Sequence, residues 1–495
     1  MDKIKPVVLD RGACYAALSA HDARFDGKFF AGVSSTGIYC RPVCRVKRPK
    51  AENCSYYPSA AAAEAGGYRP CLKCRPELAP GLSPADAAAR LARKAAFIIS
   101  HDCPEENTLA ELAGRLGISG RHLRRVFNAE YGVSPVRYVQ TCRLLLAKNL
   151  LTDTNLSITE SAMTAGFGSL RRFNDLFKKQ YRLTPGDIRK QDKHFSEKDK
   201  SGITLFPAYR PPYEWDKLIK FFSDRALPGI EEVRGGVYRR TAALQNRDGL
   251  HRGWISVMNV PAKNALAVTL SRSLLPVLPK VLARIKILFD TDCSPLEIYE
   301  KLSGMNRIRA GLCAAGTRLP GSFDPFEMAV RAVLGQQITV KAAGTLAARF
   351  VAAFGEKLTS PFDDLFYTFP GPETIYHLEG PVENHLGPLG ITGARARSIY
   401  ALAEALVKGR ISLTPEADSE AEMKKLMSLP GFGPWTVNYI GMRALSWPDA
   451  FPHTDYGIKK ALGGKPAEEI LALAEHWRPW RSYAAVDLWN SLEVL

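Results

Sequence analysis

At 495 residues the chain has room for about three domains with apolar cores of their own, and ten cysteines scattered through it exclude a disulfide scaffold. The formal net charge of +17 points to an anionic polymer as partner, and the lack of any apolar run of about 18 residues argues against a membrane span. Residues 1–200 carry 33 Lys+Arg against 20 Asp+Glu, a balance of +13, while the remaining 295 carry 34 against 30, only +4. The electrostatic handle is therefore expected in the first 200 residues. Met1 to Pro6 has no apolar signal core, so the expected compartment is the reducing cytoplasm, in association with the nucleoid.

The first elements in chain order are four cysteines, Cys40, Cys44, Cys71 and Cys74. Their C-x3-C and C-x2-C pairs have the spacing of two thiolate pairs closing on one tetrahedral zinc. Arg41, Arg45, Lys47, Arg48, Arg69, Lys73 and Arg75 crowd the same segment, as suits a zinc site pressed against a phosphate backbone. Cys14, Cys54, Cys103, Cys142, Cys293 and Cys313 show no such rhythm and read as small buried residues. The run Thr36 to Cys44, TGIYCRPVC, followed by Tyr68 to Pro76, YRPCLKCRP, resembles the N-terminal domain of the Ada methyl-phosphotriester repair proteins over residues 1–80. The resemblance implies that Cys40 is both a zinc ligand and the sulfur that accepts a methyl group. It also implies DNA contacts from Thr36, Arg41, Arg45, Lys47 and Arg69. A purely structural zinc is the alternative.

From about Asp86 the period is helical, and two stretches share one grammar. The sequences TLAE at Thr108 and SITE at Ser157 read as capping boxes. Each opens a short helix, breaks at Gly117 or Gly166, and resumes as a basic amphipathic helix, from Ser119 to Phe127 and from Ser169 to Phe177. Helix, glycine turn, basic helix is the geometry that places a second helix in the major groove. The stretch Gly166 to Lys179 resembles the second half of an AraC-type DNA-binding domain, with residues 84–193 as its whole extent. Arg121, His122, Arg124, Arg125, Arg171 and Arg172 are then candidates for base or phosphate contact; solvation of an outer helix face is the plainer alternative. Residues 194–204 read as a polar linker.

Beyond the linker, Val233 to Leu270 alternates and is rich in Val, Ile, Tyr and Trp, which predicts a small sheet within residues 205–275. From about Leu274 the period is that of a helical bundle, residues 276–495. Inside it, Leu429 to Thr436 reads LPGFGPWT, a hairpin whose Gly431 and Gly433 let backbone amides approach a phosphate. About 20 residues on, Asp455 stands just ahead of a helix. By itself it reads as an N-cap, at a position where a helix favours negative charge.

That spacing resembles the helix-hairpin-helix superfamily of DNA glycosylases. The runs RPPYEW at Arg210, RAVLGQQ at Arg331 and WRPWRSY at Trp477 extend the likeness to AlkA-type 3-methyladenine DNA glycosylases over 205–495. The resemblance implies that Asp455 is catalytic, that Trp435, Tyr439 and Trp489 line the base pocket, and that Gln337 takes the wedge place, where the family often has an apolar residue. Glycosylases of the superfamily that also cut the strand have a lysine where Trp435 stands. The chain has no cysteine after Cys313, so no iron–sulfur cluster is expected. No Pro-Cys-His-Arg tetrapeptide occurs, so direct reversal of O6-methylguanine is not expected.

The sequence thus predicts a multidomain α+β protein: a small zinc-bound domain, an all-α double helix-turn-helix domain, and a small β-rich domain with a helical helix-hairpin-helix glycosylase domain. The expected activity is hydrolytic excision of N-alkylated bases, with a single-turnover methyl transfer to Cys40 and transcriptional regulation. Its expected cofactor is one zinc. Its expected partners are double-stranded DNA, alkylated and promoter, and RNA polymerase, with the chain acting as a monomer away from membranes. The rivals are a regulator with a non-catalytic C-terminal half and an endonuclease III-like lyase.

Overall fold

Gly37, at φ +62°, turns the chain between the strands Phe30–Val33 and Ile38–Cys40, a conformation that costs glycine little. The computed structural model describes residues 11–22, 25–26, 29–76, 84–102, 108–191, 202–414 and 417–492. They fall into two units, residues 1–99 with 104–141, and 100–103 with 142–495.

In the first unit, the strands run in the order Cys54–Tyr57, Phe30–Val33, Ile38–Cys40, Arg69–Pro70. The last pair is parallel, with Tyr39 opposite Pro70. Successive side chains point to opposite faces of a sheet. Phe29 and Ala31 accordingly pack with Cys14, Ala17 and Leu18 of the helix Arg11–Ala20, while Phe30 and Tyr39 pack with Ala63 of the helix Ala60–Ala65. The first helix-turn-helix belongs to this unit. Its helices Thr108–Arg115 and Gly120–Tyr131 are separated by Gly117 at φ +67°, and Ser119 caps the second by accepting from the His122 amide at 3.2 Å. The first expected capping box rests on the Thr108 side chain, which lies outside the described residues.

The second helix-turn-helix belongs to the other unit. Its capping box is complete: Ser157 Oγ accepts from the Glu160 amide at 3.1 Å, and Glu160 Oε2 from the Ser157 amide at 2.8 Å. Gly166, at φ +85°, turns into the helix Leu170–Tyr181, which buries Phe173 and Phe177. Burial of such a side chain is worth about 1.5–3 kcal/mol. These phenylalanines, with Leu150 and Leu156, belong to one core with Tyr238, Val257, Leu270 and Phe289.

That shared core lies on an antiparallel sheet of five strands, in the order Gly202–Leu205, Ala265–Ser271, Gly249–Val260, Val237–Asn246, Glu231–Arg234. The first of these corrects the expected linker. Gly202–Leu205 is an edge strand, with Ile203 opposite Leu270, because its buried Ile203 and Leu205 alternate with half-buried neighbours. Residues 192–201 of that stretch lie outside the described residues. A helical bundle follows, and a buried ionic cluster fastens it to the sheet. Arg240 meets Glu327 at 2.7 Å, and Arg331 meets Glu231 at 2.8 Å and Glu327 at 2.9 Å. The helix Pro325–Leu334, whose end leads to Gln336 and Gln337, is thereby held against the sheet.

Candidate active site and zinc centre

Asp455 accepts three hydrogen bonds. Its Oδ1 takes the Ile458 amide at 3.1 Å, which makes it the N-cap of the helix Tyr456–Ala461. The same oxygen takes the indole N–H of Trp489 at 2.9 Å, and Oδ2 takes that of Trp435 at 2.8 Å. Both oxygens are therefore fixed in orientation by N–H donors. Gly457 completes the fit, since a Cβ there would stand 3.0 Å from both Asp455 Oδ1 and Trp489 Cδ1.

Trp435 and Tyr439 lie one turn apart on the helix Pro434–Arg443, with rings stacked at 5.1 Å. Tyr439 meets Trp489 edge to face at 6.2 Å, and Trp489 stacks on Phe221 at 6.3 Å. Arg443 donates to the Tyr439 hydroxyl at 3.0 Å, and the Arg225 guanidinium lies 3.9 Å over Phe221. Burial pushes the Tyr439 phenol up, but the charges of Arg443, Arg225 and Arg331 outweigh it and hold the phenol below its ordinary value.

The hairpin joins the helices Ser419–Met427 and Pro434–Arg443. Gly431 is left-handed at φ +78°, and a Cβ there would stand 2.2 Å from Ser398 Oγ. Gly433 is extended, at φ −86° and ψ 175°, with open space where a Cβ would go. Both glycines are exposed, as is Gln337.

In the first unit, local pairing assembles the four cysteines. The parallel register sets Cys71 beside Cys40, and the Cys71 amide donates to Tyr39 O at 3.1 Å. Tight turns return Cys44 and Cys74 to the same spot, through Cys44 N to Arg41 O at 3.1 Å and Arg75 N to Cys71 O at 2.9 Å. The four sulfurs lie within 4.8 Å of one another and are buried. A zinc tetrahedron with bonds of about 2.3 Å requires comparable spacing. The charge chemistry agrees. Hydrogen bonds from Cys40 and then Cys74 hold the Cys44 thiol below its ordinary value, while the bond to Cys44 pushes Cys40 up. Thiols this close share protons unless a cation neutralises them, so the donor set fits Zn²⁺.

Four domain families match the chain. They are the metal binding domain of Ada over residues 13–77, a helix-turn-helix domain over 112–191, the AlkA N-terminal domain over 203–324, and the HhH-GPD superfamily base excision DNA repair protein over 330–464. The probable bifunctional transcriptional activator/DNA repair enzyme AlkA of Mycobacterium tuberculosis is 36% identical over 489 residues, 97% of this chain and 96% of that protein. The chain belongs to this AlkA family of bifunctional proteins. DNA-3-methyladenine glycosylase 2 of Escherichia coli is 36% identical over 283 residues, 57% of this chain and 95% of its own. The bifunctional transcriptional activator/DNA repair enzyme AdaA of Bacillus subtilis is 33% identical over 181 residues, 36% of this chain and 82% of its own.

Within this AlkA-family chain, the fold brings Asp455, Trp435, Tyr439 and Trp489 together, and separately the four cysteines. Thr36, Arg45, Lys47 and Arg69 are exposed around the cysteine site. Arg41 is not. Its side chain is 1% exposed and paired with Asp26, its Nε donating to Oδ1 at 2.7 Å, so the expected phosphate contact is corrected to a buried ion pair. Arg121, Arg124, Arg125, Arg171 and Arg172 are exposed, each on the second helix of its own helix-turn-helix, and His122 is half-buried with Nδ1 2.9 Å from Arg125 Nη2. Sequence reasoning missed Phe221, Arg225, Arg443 and Gly457. Gly457, two residues after Asp455, and Arg443, one turn after Tyr439 on the same helix, left a local signal.

Proposed function

We propose that residues 205–495 flip an N-alkylated base such as 3-methyladenine out of double-stranded DNA and hydrolyse its glycosidic bond. The observation that carries this reading is the Asp455 carboxylate, held by two indole N–H groups beside a stacked aromatic pair. An alkylated purine is cationic, and electron-rich rings attract such a ring. The bond from the sugar C1′ to the base nitrogen breaks with its electron pair going to the base, which neutralises it. The positive charge left on the sugar is stabilised by Asp455, and water adds to C1′ and releases a proton. The hairpin at Gly431 and Gly433 grips the backbone, and Gln337 fills the gap left by the flipped base. Trp435 in place of a lysine supports hydrolysis without strand cleavage, since a Schiff base needs an amine.

In the same proposal, Cys40 takes the methyl group of a DNA methyl-phosphotriester. The S–CH₃ bond forms as the O–CH₃ bond breaks, and the phosphate regains its negative charge. One zinc on Cys40, Cys44, Cys71 and Cys74 would keep the sulfurs deprotonated and electron-rich. We read it as the single resident metal, with no iron–sulfur cluster, and the chain as a cytoplasmic monomer that works on the nucleoid. Methylation removes one negative charge beside Arg45, Lys47 and Arg69, which strengthens DNA binding. The helix-turn-helix pair, through Arg121, His122, Arg124, Arg125, Arg171 and Arg172, would then regulate promoters together with RNA polymerase. Chromatography of bases released from methylated duplex DNA, with mass spectrometry of the recovered protein, tests both halves. Free 3-methyladenine and a methyl group on Cys40 are expected; no free base removes the glycosylase reading, and a methyl on another cysteine or none removes the acceptor.

A further inference from the structure

Gln336 stands between two parts of the candidate DNA-binding face. Its side-chain amide donates to Gly431 O of the hairpin at 2.8 Å and to Thr436 Oγ1 at 2.9 Å. Its own carbonyl accepts from Arg395, on the helix Gly393–Val407. The same helix carries Ser398, whose Oγ occupies the space beside Gly431. The hairpin is thus held at Gly431 by Gln336 and abutted there by Ser398.

The next residue, Gln337, is exposed and left-handed at φ +57°. A side-chain-bearing residue keeps that conformation only where its surroundings fix it. Gln336 fixes it on one flank. On the other, Thr339 caps the helix Val340–Phe354 by accepting from the Ala342 amide at 3.2 Å.

We propose that Gln336 is a positioning residue that locks the inserting residue Gln337 to the Gly431 hairpin, so that wedge and backbone grip enter the duplex as one rigid part. Gln336 needs no contact with DNA for this. The inference rests on the glycosylase reading above. It concerns the opening of a paired base and not the chemical step, which gives it a signature of its own. Loss of the lock slows excision where the base must be unpaired and unstacked, and matters little where the lesion is already unpaired.

The test uses the full-length chain and Gln336→Met, which keeps length and volume but cannot donate. Single-turnover release is measured from two duplexes, one with 3-methyladenine paired to thymine, one with it opposite an abasic site. Loss of two hydrogen bonds predicts a fall of about ten- to hundredfold on the paired duplex. On the unpaired duplex the expected fall is less than about threefold, because the opening cost has been removed. Thr436→Val, which deletes one acceptor and keeps the shape, should show the same pattern at smaller size, and serves if Gln336→Met does not fold. Equal losses on both duplexes, or no loss on either, overturn the proposal. A wild-type chain that releases no base from either duplex overturns the glycosylase reading and this inference with it, whereas normal wild-type release with an unaffected variant overturns only the inference.

Discussion

The ring planes of Trp435 and Tyr439 are 9° apart, one helical turn from each other on the same helix. That parallelism is built from both ends. The Trp435 indole is fixed by its hydrogen bond to Asp455, and the Tyr439 hydroxyl by its bond from Arg443. Two fixed, parallel rings form a rigid wall beside the carboxylate, which on the proposed function would give a planar cation a preferred orientation.

Trp435→Leu should therefore discriminate by charge. Cation–π attraction is worth about 0.5–2 kcal/mol, so kcat/KM for 3-methyladenine should fall about 2- to 30-fold more than for a neutral mispaired purine. Equal losses on both substrates would leave Trp435 only its packing and its hydrogen bond to Asp455.

The first unit separates stability from DNA binding residue by residue. Arg41→Met breaks a buried ion pair with Asp26 and should cost about 3–5 kcal/mol of stability. Arg45→Ala, Lys47→Ala and Arg69→Ala, at exposed positions, should leave the melting temperature unchanged. Each that contacts a phosphate should lower the slope of log affinity against log salt by about one. Thermal melts and salt titrations of the same variants check both; a stable Arg41→Met with weakened DNA binding would reverse the assignment.

Zinc should be stoichiometric and structural. Metal analysis of the purified chain is expected to return one zinc, lost in Cys74→Ala together with protease resistance of residues 11–76, because binding and folding of so small a core are coupled. Full zinc content in that variant would exclude the four-cysteine site.

The helix Arg481–Asn490, which carries Trp489, is held by two buried carboxyl groups. Burial pushes Asp487 up to about 7 against the opposing Thr317 hydrogen bond, with Cys313 and Lys217 also facing it. Burial likewise pushes Asp290 up to about 6, with Tyr483, Arg318 and Cys293 around it. In the folded state these groups hold protons that the unfolded chain has released, so their stabilisation is full below the ordinary carboxylate value of 3.8 and is lost as pH rises through about 6 and about 7. Urea midpoints of wild type and Asp487→Asn should thus diverge in favour of the variant between pH 5 and 8, by direction of the cited shifts. Parallel pH profiles would show that Asp487 does not titrate there.

What could be read from the sequence was local. The four cysteines on two short turns follow from spacing because a turn fixes them directly. The grouping of Trp435, Tyr439, Trp489 and Asp455 is what the resemblance to AlkA-type glycosylases implies, spacing alone giving only a helix cap at Asp455. Phe221, Arg225 and Arg443 could not be found this way. Phe221 and Arg225 come from a distant stretch whose approach depends on the whole bundle, and Arg443, although one turn beyond Tyr439 on the same helix, reads in the chain as an ordinary surface arginine. Arg41 was misplaced for a related reason: it sits in a run of basic residues, and only the fold reveals that Asp26 draws it inward. The edge strand at Gly202 was hidden by the polar stretch before it, since four residues are too few to show a period.

On the proposed mechanism, Asp455 supplies charge to the transition state as well as capping a helix. Asparagine at this position can still accept the Ile458 amide, so the cap and the fold survive while the charge is removed. Single-turnover release of 3-methyladenine by Asp455→Asn is the direct measurement. The predicted result is a fall of about 100- to 1,000-fold, with affinity for an abasic-site duplex unchanged within about threefold. Release at close to the wild-type rate would leave Asp455 as a helix cap only.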